Sequence, residues 1–321
     1  MASPNSTFTE IVSTTLRNHP TAVADNVSEH NALWRRLQDK GNIKVVNGGY
    51  EIVEPLDYAE NSTYQRYSGF EQLNVGASDV ISAAKYDWKQ AAVHVVSSGL
   101  ELRQNSGKEA MISLAKAKLK NAMRTFANNL SSDTYSDGTA SGGKQIGGME
   151  HLVTNDGTGT VGGIVAGTFT FWKNQFKDGS TATKTTIGDK MRELWLLCQR
   201  QGDVTDFIVS STDLYTLYWN GLTDLQRYTQ RDDVAGHGFA AGLKFDTADI
   251  FHDTSGSGAS TTRMFFLNTE FMKLVVHRDA NLNTLDEKTP INQDGVAIPI
   301  IFQGNLACSN RARQGVLFDY D

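Results

Sequence analysis

The chain is built around residues 106–130, because a helix of that length needs a whole domain to lie across. Met111, Ala115, Leu119, Ala122, Phe126 and Leu130 recur at spacings of three and four, which draws one face of a 3.6-period helix. No Gly or Pro interrupts 108–130, and Ala, Leu, Lys and Met dominate it; all four are strong helix formers. Ser106 and Glu109 stand at capping-box spacing, each able to satisfy the other's free backbone donor. At 1.5 Å per residue such a helix spans roughly 37 Å. Lys116, Lys120 and Arg124 follow one another at i, i+4 and i+8, so they form a basic stripe beside the apolar one. A stripe of this kind is often no more than a solvated face.

The surroundings of the helix are also patterned. Residues 88–96 read as a strand, and after the helix the chain turns glycine-rich from Gly138 to Gly148. The apolar fraction of 39% and charged fraction of 21% are those of an ordinary globular protein. A net charge of −6 gives no whole-molecule attraction to nucleic acid, although a local basic surface remains open. No run of 18 apolar residues exists, so no membrane partner is expected. The first residues lack the basic start and apolar core of a signal peptide. Cys198 and Cys308 have no metal-ligand spacing and read as buried free thiols.

Taken in order, residues 1–42 read as an arm with a short helix at 32–37, packed on other parts of the protein or on other copies. Residues 43–53 read as a hairpin turning at Asn47-Gly48-Gly49. The next thirty residues scatter Tyr58, Tyr64, Tyr67 and Phe70 through polar sequence with no period. So long a structureless link inside a compact domain is unusual, and a projecting loop that touches something outside the subunit fits better. Residues 43–102 hold eight acids, among them Glu51, Glu54, Asp57 and Glu60, against four bases. Residues 105–130 hold five bases against one acid. Opposite signs on adjacent segments invite pairing, within or between subunits. Further on, 187–198 and 212–218 read as helices. Strands are expected at 207–210, 243–252, 264–267 and 271–277, with 298–302 and 316–318 as a closing pair.

Catalytic and cofactor patterns weigh little. Gly157, Gly159 and Gly162 match a dinucleotide fingerprint, but no helical pattern follows. Gly138, Gly143 and Lys144 have phosphate-loop spacing, but Gln145 stands where a magnesium-binding hydroxyl belongs. The seven histidines are dispersed with no i, i+4 pair, and Asp133 and Asp137 lack calcium-loop spacing. No cofactor or metal is expected. A soluble enzyme using carboxylates near Asp232 and Asp233, or between Asp279 and Asp286, is the alternative from another class.

Five segments together carry a resemblance. They are Asn47-Gly-Gly-Tyr-Glu-Ile-Val-Glu-Pro-Leu56, Tyr64-Gln-Arg-Tyr-Ser-Gly-Phe70, Tyr86-Asp-Trp-Lys-Gln-Ala-Ala92, Ser106-Gly-Lys-Glu109, and Tyr135-Ser-Asp-Gly with the later Gly-Lys-Gln-Ile-Gly-Gly148. In this order they resemble the major capsid proteins of tailed bacteriophages, which have the Hong Kong 97-type shell fold. The resemblance is carried by 43–175 and continues by pattern only. It implies an α+β chain with an N-terminal arm (1–42), an E-loop hairpin (43–86), a peripheral P domain (87–205 and 297–321) with a spine helix at about 106–130, and an axial A domain (206–296).

The implied function is a major capsid protein, not an enzyme. It would self-assemble into pentamers and hexamers of an icosahedral head around double-stranded DNA, in the cytoplasm of a bacterial host. An encapsulin-like compartment is the alternative within the same fold. The implied partners are other copies of the chain, a portal, non-specifically held DNA, decoration proteins and, since no coiled-coil segment precedes the arm, a separate scaffolding protein. Contact candidates are Glu51, Glu54, Asp57, Glu60, Tyr64, Tyr67 and Phe70 on the loop, and Lys116, Lys120 and Arg124 on the helix, facing either packaged DNA or a neighbour's acidic loop. Some shells of this family join subunits by a Lys–Asn isopeptide bond. Lys44 and Lys85 lie near the loop, but neither matches the reactive position, so that chemistry is not carried over.

Overall fold

The computed structural model describes residues 31–104, 114–223, 243–253, 262–286, 288–289 and 292–319, without the side chains of 102–104, 114–117 and 223. In chain order the elements are α1 (Ala32–Asp39), β1 (Ile43–Val46), β2 (Ile52–Asp57), β3 (Ile81–Tyr86), β4 (Lys89–Ser98), α2 (Leu114–Tyr135), β5 (Thr160–Val161), β6 (Ile164–Val165) and β7 (Gln175–Asp178). There follow α3 (Ile187–Cys198), β8 (Phe207–Ser210), α4 (Thr212–Thr223), β9 (Leu243–Phe245), β10 (Ala248–His252), β11 (Arg263–Leu267), β12 (Met272–Thr284), β13 (Gly295–Cys308) and β14 (Gly315–Phe318). No helix is long and apolar enough to cross a membrane among the described residues.

The long helix forms where the apolar spacing placed it. Leu119, Ala122, Phe126 and Leu130 are all buried. It runs on to Tyr135, past the expected end, because the polar last turn is also buried and bonded. Thr134 Oγ1 donates to Leu130 O at 2.8 Å and accepts from Trp34 Nε1 at 2.7 Å. The capping pair Ser106 and Glu109, and Met111, lie outside the described residues.

Two sheets share the chain. The first has the order β1-β12-β13-β4 and carries α2 and α1. Phe302 of β13 lies between them, 5.8 Å from the Trp34 ring and 6.5 Å from that of Phe126. The second has the order β7-β14-β11-β8-β10-β9. Its core joins Met191, Leu194 and Cys198 of α3 and Leu214 of α4 to Ile208, Ile250, Met264, Phe266 and Leu317. Strand β8 is buried throughout, as a short apolar run between two neighbours must be.

Three sequence expectations are corrected by this pairing. Strands β1 and β2 do not form a hairpin. β1 pairs parallel to β12, from Ile43 opposite Leu274 to Val46 opposite His277, and β2 pairs antiparallel to β3. Gly48 and Gly49 have φ of 144° and 131°, far from the tight two-residue turn, and lead the chain out of one sheet toward the other strand pair. The strands of 298–302 and 316–318 do not pair with each other. β13 lies between β12 and β4, and β14 between β7 and β11. In this order β12 belongs to the first sheet and β7 and β14 to the second. Gly315 shows why β14 is held there: a Cβ on it would meet Cys198 Sγ at 2.5 Å. The single strand read at 243–252 is two, folded at Asp246 with φ of 51°.

Helix α1 is part of the body. Leu33, Trp34 and Leu37 are buried, and Asn31 caps it by accepting from Leu33 N and Trp34 N. The rest of the expected arm, 1–30, lies outside the described residues.

Both cysteines are free and buried, and burial pushes each thiol up to about 12. The folded protein is therefore expected to react with less than about a tenth of an equivalent of a thiol-disulfide reagent at pH 8, and with both thiols only after denaturation. A colorimetric thiol assay checks this.

Candidate assembly surface

Strands β2 and β3 form a hairpin that stands on the body by one face only. Ile52, Glu54 and Leu56 point in, Val53, Pro55 and Asp57 point out, and Ala84 and Tyr86 join the inward set. This is the period-2 alternation of a half-buried strand. The inward face is fixed in several ways. Tyr86 Oη donates to Cys308 O at 2.7 Å and accepts from Cys308 N at 3.2 Å, and burial raises the phenol well above its usual pKa. Lys85 N donates to Gly162 O at 2.9 Å. Gly162 closes the β5–β6 turn with φ of 60°, and a Cβ there would come within 2.8 Å of the Ala84 Cβ. The rings of Tyr58 and Phe171 are 5.6 Å apart.

Beyond this root, residues 58–80 form no regular strand and are tied to themselves. Tyr58 N donates to Val80 O, Gln65 Nε2 to Gln72 O, and Asn74 N to Gln65 Oε1. The apex is the turn at Ser68-Gly69-Phe70-Glu71, with Gly69 at φ of 59°. The three predicted aromatic contacts are all outside: Tyr64 is 78% exposed, Tyr67 64% and Phe70 108%. Leu73, Val75 and Ile81 of the same projection are exposed as well, as is Tyr50 before it. Sequence reasoning passed over these aliphatics, although they share the polar, aperiodic setting of the tyrosines.

The predicted acids divide into two groups. Glu54 is no surface contact. It is 1% exposed, 2.7 Å from Lys273 Nζ and 3.6 Å from Lys44 Nζ, and it fastens the hairpin root to β12 and β1. Glu51 pairs with Lys85 at 3.7 Å. Asp57 and Glu60 are exposed and, with Asp79, make no ion pair among the described residues. On α2, Lys120 and Arg124 are exposed, and Arg124 Nη2 donates to Asn121 Oδ1 at 3.4 Å. The Lys116 side chain lies outside the described set. Among the described residues, no hydrogen bond or ion pair joins the loop to Lys120 or Arg124. Part of the charge imbalance between the two segments is resolved locally, by Glu101 with Lys118 at 3.4 Å. Asp279 and Asp286, the alternative carboxylates, are both exposed, while Asp232 and Asp233 lie outside the described residues.

A hairpin arm standing on one sheet, a long helix packed against that sheet and a second α/β layer give the chain the Hong Kong 97-type shell fold, with α+β content. The particular structures it resembles are shells. It is similar to the subunit of the Cyanophage A-1(L) capsid asymmetric unit, with a TM-score of 0.58 and 13% identity over 88% of this chain and 92% of that one. It is similar to the capsid of Myoviridae Phage XM1, with a TM-score of 0.56 and 12% identity over the same shares. The holo-SrpI encapsulin complex from Synechococcus elongatus PCC 7942 gives a TM-score of 0.57 and 8% identity, over 91% of this chain and 89% of that one. No protein-family model and no curated protein matches the sequence.

Proposed function

We propose that this chain is a major capsid protein, which self-associates into the pentamers and hexamers of an icosahedral phage head enclosing double-stranded DNA. The observation that carries the reading is the hairpin arm. It is firmly rooted, yet its apex presents Tyr64, Tyr67 and Phe70 to solvent, and exposed aromatics in one projection mark a surface that another molecule covers. A neighbouring copy is the natural cover, with the hairpin acting as the E-loop of the shell. A portal, a separate scaffolding protein and decoration proteins belong to the same reading, as does assembly in a bacterial cytoplasm. Negative-stain microscopy of the purified protein tests it: closed icosahedral particles are expected, and a small soluble oligomer with no particles overturns it. An encapsulin-like compartment is the second reading, favoured by the likeness to the encapsulin complex. Particle diameter and contents separate the two, since a head fills with DNA and a compartment with protein cargo.

In this reading the unpaired acids Asp57, Glu60 and Asp79 of one copy approach the stripe of Lys120 and Arg124 on the next. An exposed pair contributes up to about 1 kcal/mol, but the contact is repeated around the whole shell. Lys120→Glu is expected to raise the protein concentration needed for assembly by about five-fold, as followed by light scattering. An unchanged threshold would make the stripe a solvated face.

A further inference from the structure

Helix α1 meets both sheets, and its contacts differ in chemistry. Leu33, Trp34 and Leu37 are buried in a core that holds the first sheet and also Phe207, Val209, Phe265 and Leu267 of the second. From the flank of the helix Arg36 reaches the second sheet by charge. Its Nη2 lies 3.3 Å from both Asp206 O and Asp206 Oδ2, and its Nη1 lies 3.8 Å from Asp249 Oδ2. Lys40, the C-cap residue of α1, is 3.8 Å from Asp206 Oδ2. Both cations sit at the helix C-terminus, where the backbone dipole favours them.

The acids are brought together by sheet pairing. β8 and β10 are parallel neighbours with Asp249 opposite Phe207, so Asp206, one residue before, and Asp249 share one end of the second sheet. Lys244 Nζ contacts Asp249 at 3.0 Å. Asp206 also accepts from Thr269 N at 2.8 Å and from Thr269 Oγ1 at 2.5 Å. Thr269 leads into β12 of the first sheet, and its carbonyl accepts from Asn42 Nδ2 at 2.6 Å. The Arg36 guanidinium also sits 5.8 Å from the centre of the Phe207 ring.

The Arg36 geometry is informative. A guanidinium clamped on one carboxylate makes two short parallel bonds of about 2.7–2.9 Å. Arg36 instead divides long contacts between two acids, and Asp206 divides its own between Arg36 and Lys40. Shared contacts of this kind can shift from one acceptor to the other without breaking, which a close-packed apolar contact cannot do.

We infer that Arg36 with Asp206 and Asp249 is an adjustable ionic latch that sets the angle between the two sheets. Through that angle it sets the curvature at which copies of the chain join. The second half rests on the shell reading, whereas the first does not.

The test uses the full chain with Arg36→Met, which keeps an apolar stem, Arg36→Glu, and the swap Arg36→Glu with Asp206→Arg. Microscopy is expected to show the spread of particle diameters at least doubled by Arg36→Met and Arg36→Glu, and narrowed again by the swap. Wild-type diameters for Arg36→Met overturn the latch. Should Arg36→Glu not fold, Arg36→Met carries the comparison. Should the wild type form no particles, the shell reading fails, and the latch is read from the inter-sheet distance. Spin labels are placed on Gln90→Cys and Leu196→Cys, both on exposed positions in a protein whose own thiols are buried. Arg36→Met is expected to broaden that distance distribution; an unchanged one overturns the latch independently of assembly.

Discussion

Replacing Tyr64, Tyr67 and Phe70 together by serine is expected to abolish closed particles while leaving the subunit folded. The three rings lie outside the hairpin core, and the bonds that shape residues 58–80 run through Gln65, Gln72, Asn74 and the backbone. Surface changes of this kind usually alter stability by less than about 0.5 kcal/mol, so the unfolding midpoint should stay within about 2 °C of wild type. The effect on association is of another size. An aromatic anchor seated on a partner typically contributes 2 kcal/mol or more. Three anchors thus make about 6 kcal/mol per contact, on the order of four powers of ten in the contact constant. Sedimentation velocity and thermal unfolding measure the two quantities on one sample. Particles forming at the wild-type concentration would remove the hairpin apex from the interface and with it the observation that carries the proposed function.

The apex was legible in the sequence because Tyr64, Tyr67 and Phe70, in polar and aperiodic surroundings, have no internal explanation; Tyr58 of the same set instead packs near Phe171. The long helix was legible for the opposite reason: its apolar period is regular enough to name Leu119, Ala122, Phe126 and Leu130 individually. Its last turn was not, since Ser131 and Thr134 read as poor helix formers until Asn31 and Trp34, a hundred residues earlier, supply their partners. The misread hairpin has the same cause. Asn47-Gly48-Gly49 is a strong local turn signal, but the competing partner of β1 is β12, more than two hundred residues away, and pairing across such a separation leaves no local trace.

Glu54 is a different kind of miss, because its burial was there to be read. Ile52, Glu54 and Leu56 alternate with Val53, Pro55 and Asp57, and residues two apart share a face. Two apolar neighbours on that face put Glu54 inside. A buried carboxylate then demands cations, which Lys273 and Lys44 provide. Counting it among the surface acids followed net charge where periodicity was the better guide.

No sequence pattern pointed to Arg311, yet its loss is expected to have the largest effect on stability. The side chain is fully buried and, among the described residues, has no carboxylate partner. Its Nε donates to Leu152 O at 2.6 Å, its Nη1 to Trp172 O at 3.3 Å, and its Nη2 to Asn174 Oδ1 at 2.9 Å. Weaker contacts reach Thr154 Oγ1 and Thr158 O, both at 3.4 Å. Burial draws its pKa down from the ordinary arginine value, and the carbonyls take the place of the lost water. One guanidinium thus gathers both ends of the glycine-rich stretch between Leu152 and Asn174. That stretch carries Gly162 and Phe171, on which the hairpin root rests. Arg311→Met leaves at least two buried carbonyls without donors, at about 1–3 kcal/mol each, for an expected loss of about 4 kcal/mol in denaturant unfolding. Arg311→Lys should cost nearly as much, because a single ammonium cannot span acceptors arranged for a planar fork. Limited proteolysis should cut Arg311→Met within 153–174 under conditions where the wild type survives. A loss below about 1 kcal/mol, with that stretch still protected, would mean that packing around Trp172 holds it and the arginine does not. If the loss is as large as expected, particle assembly should fall with it, since a hairpin whose support has loosened cannot hold its aromatics where a neighbour can receive them.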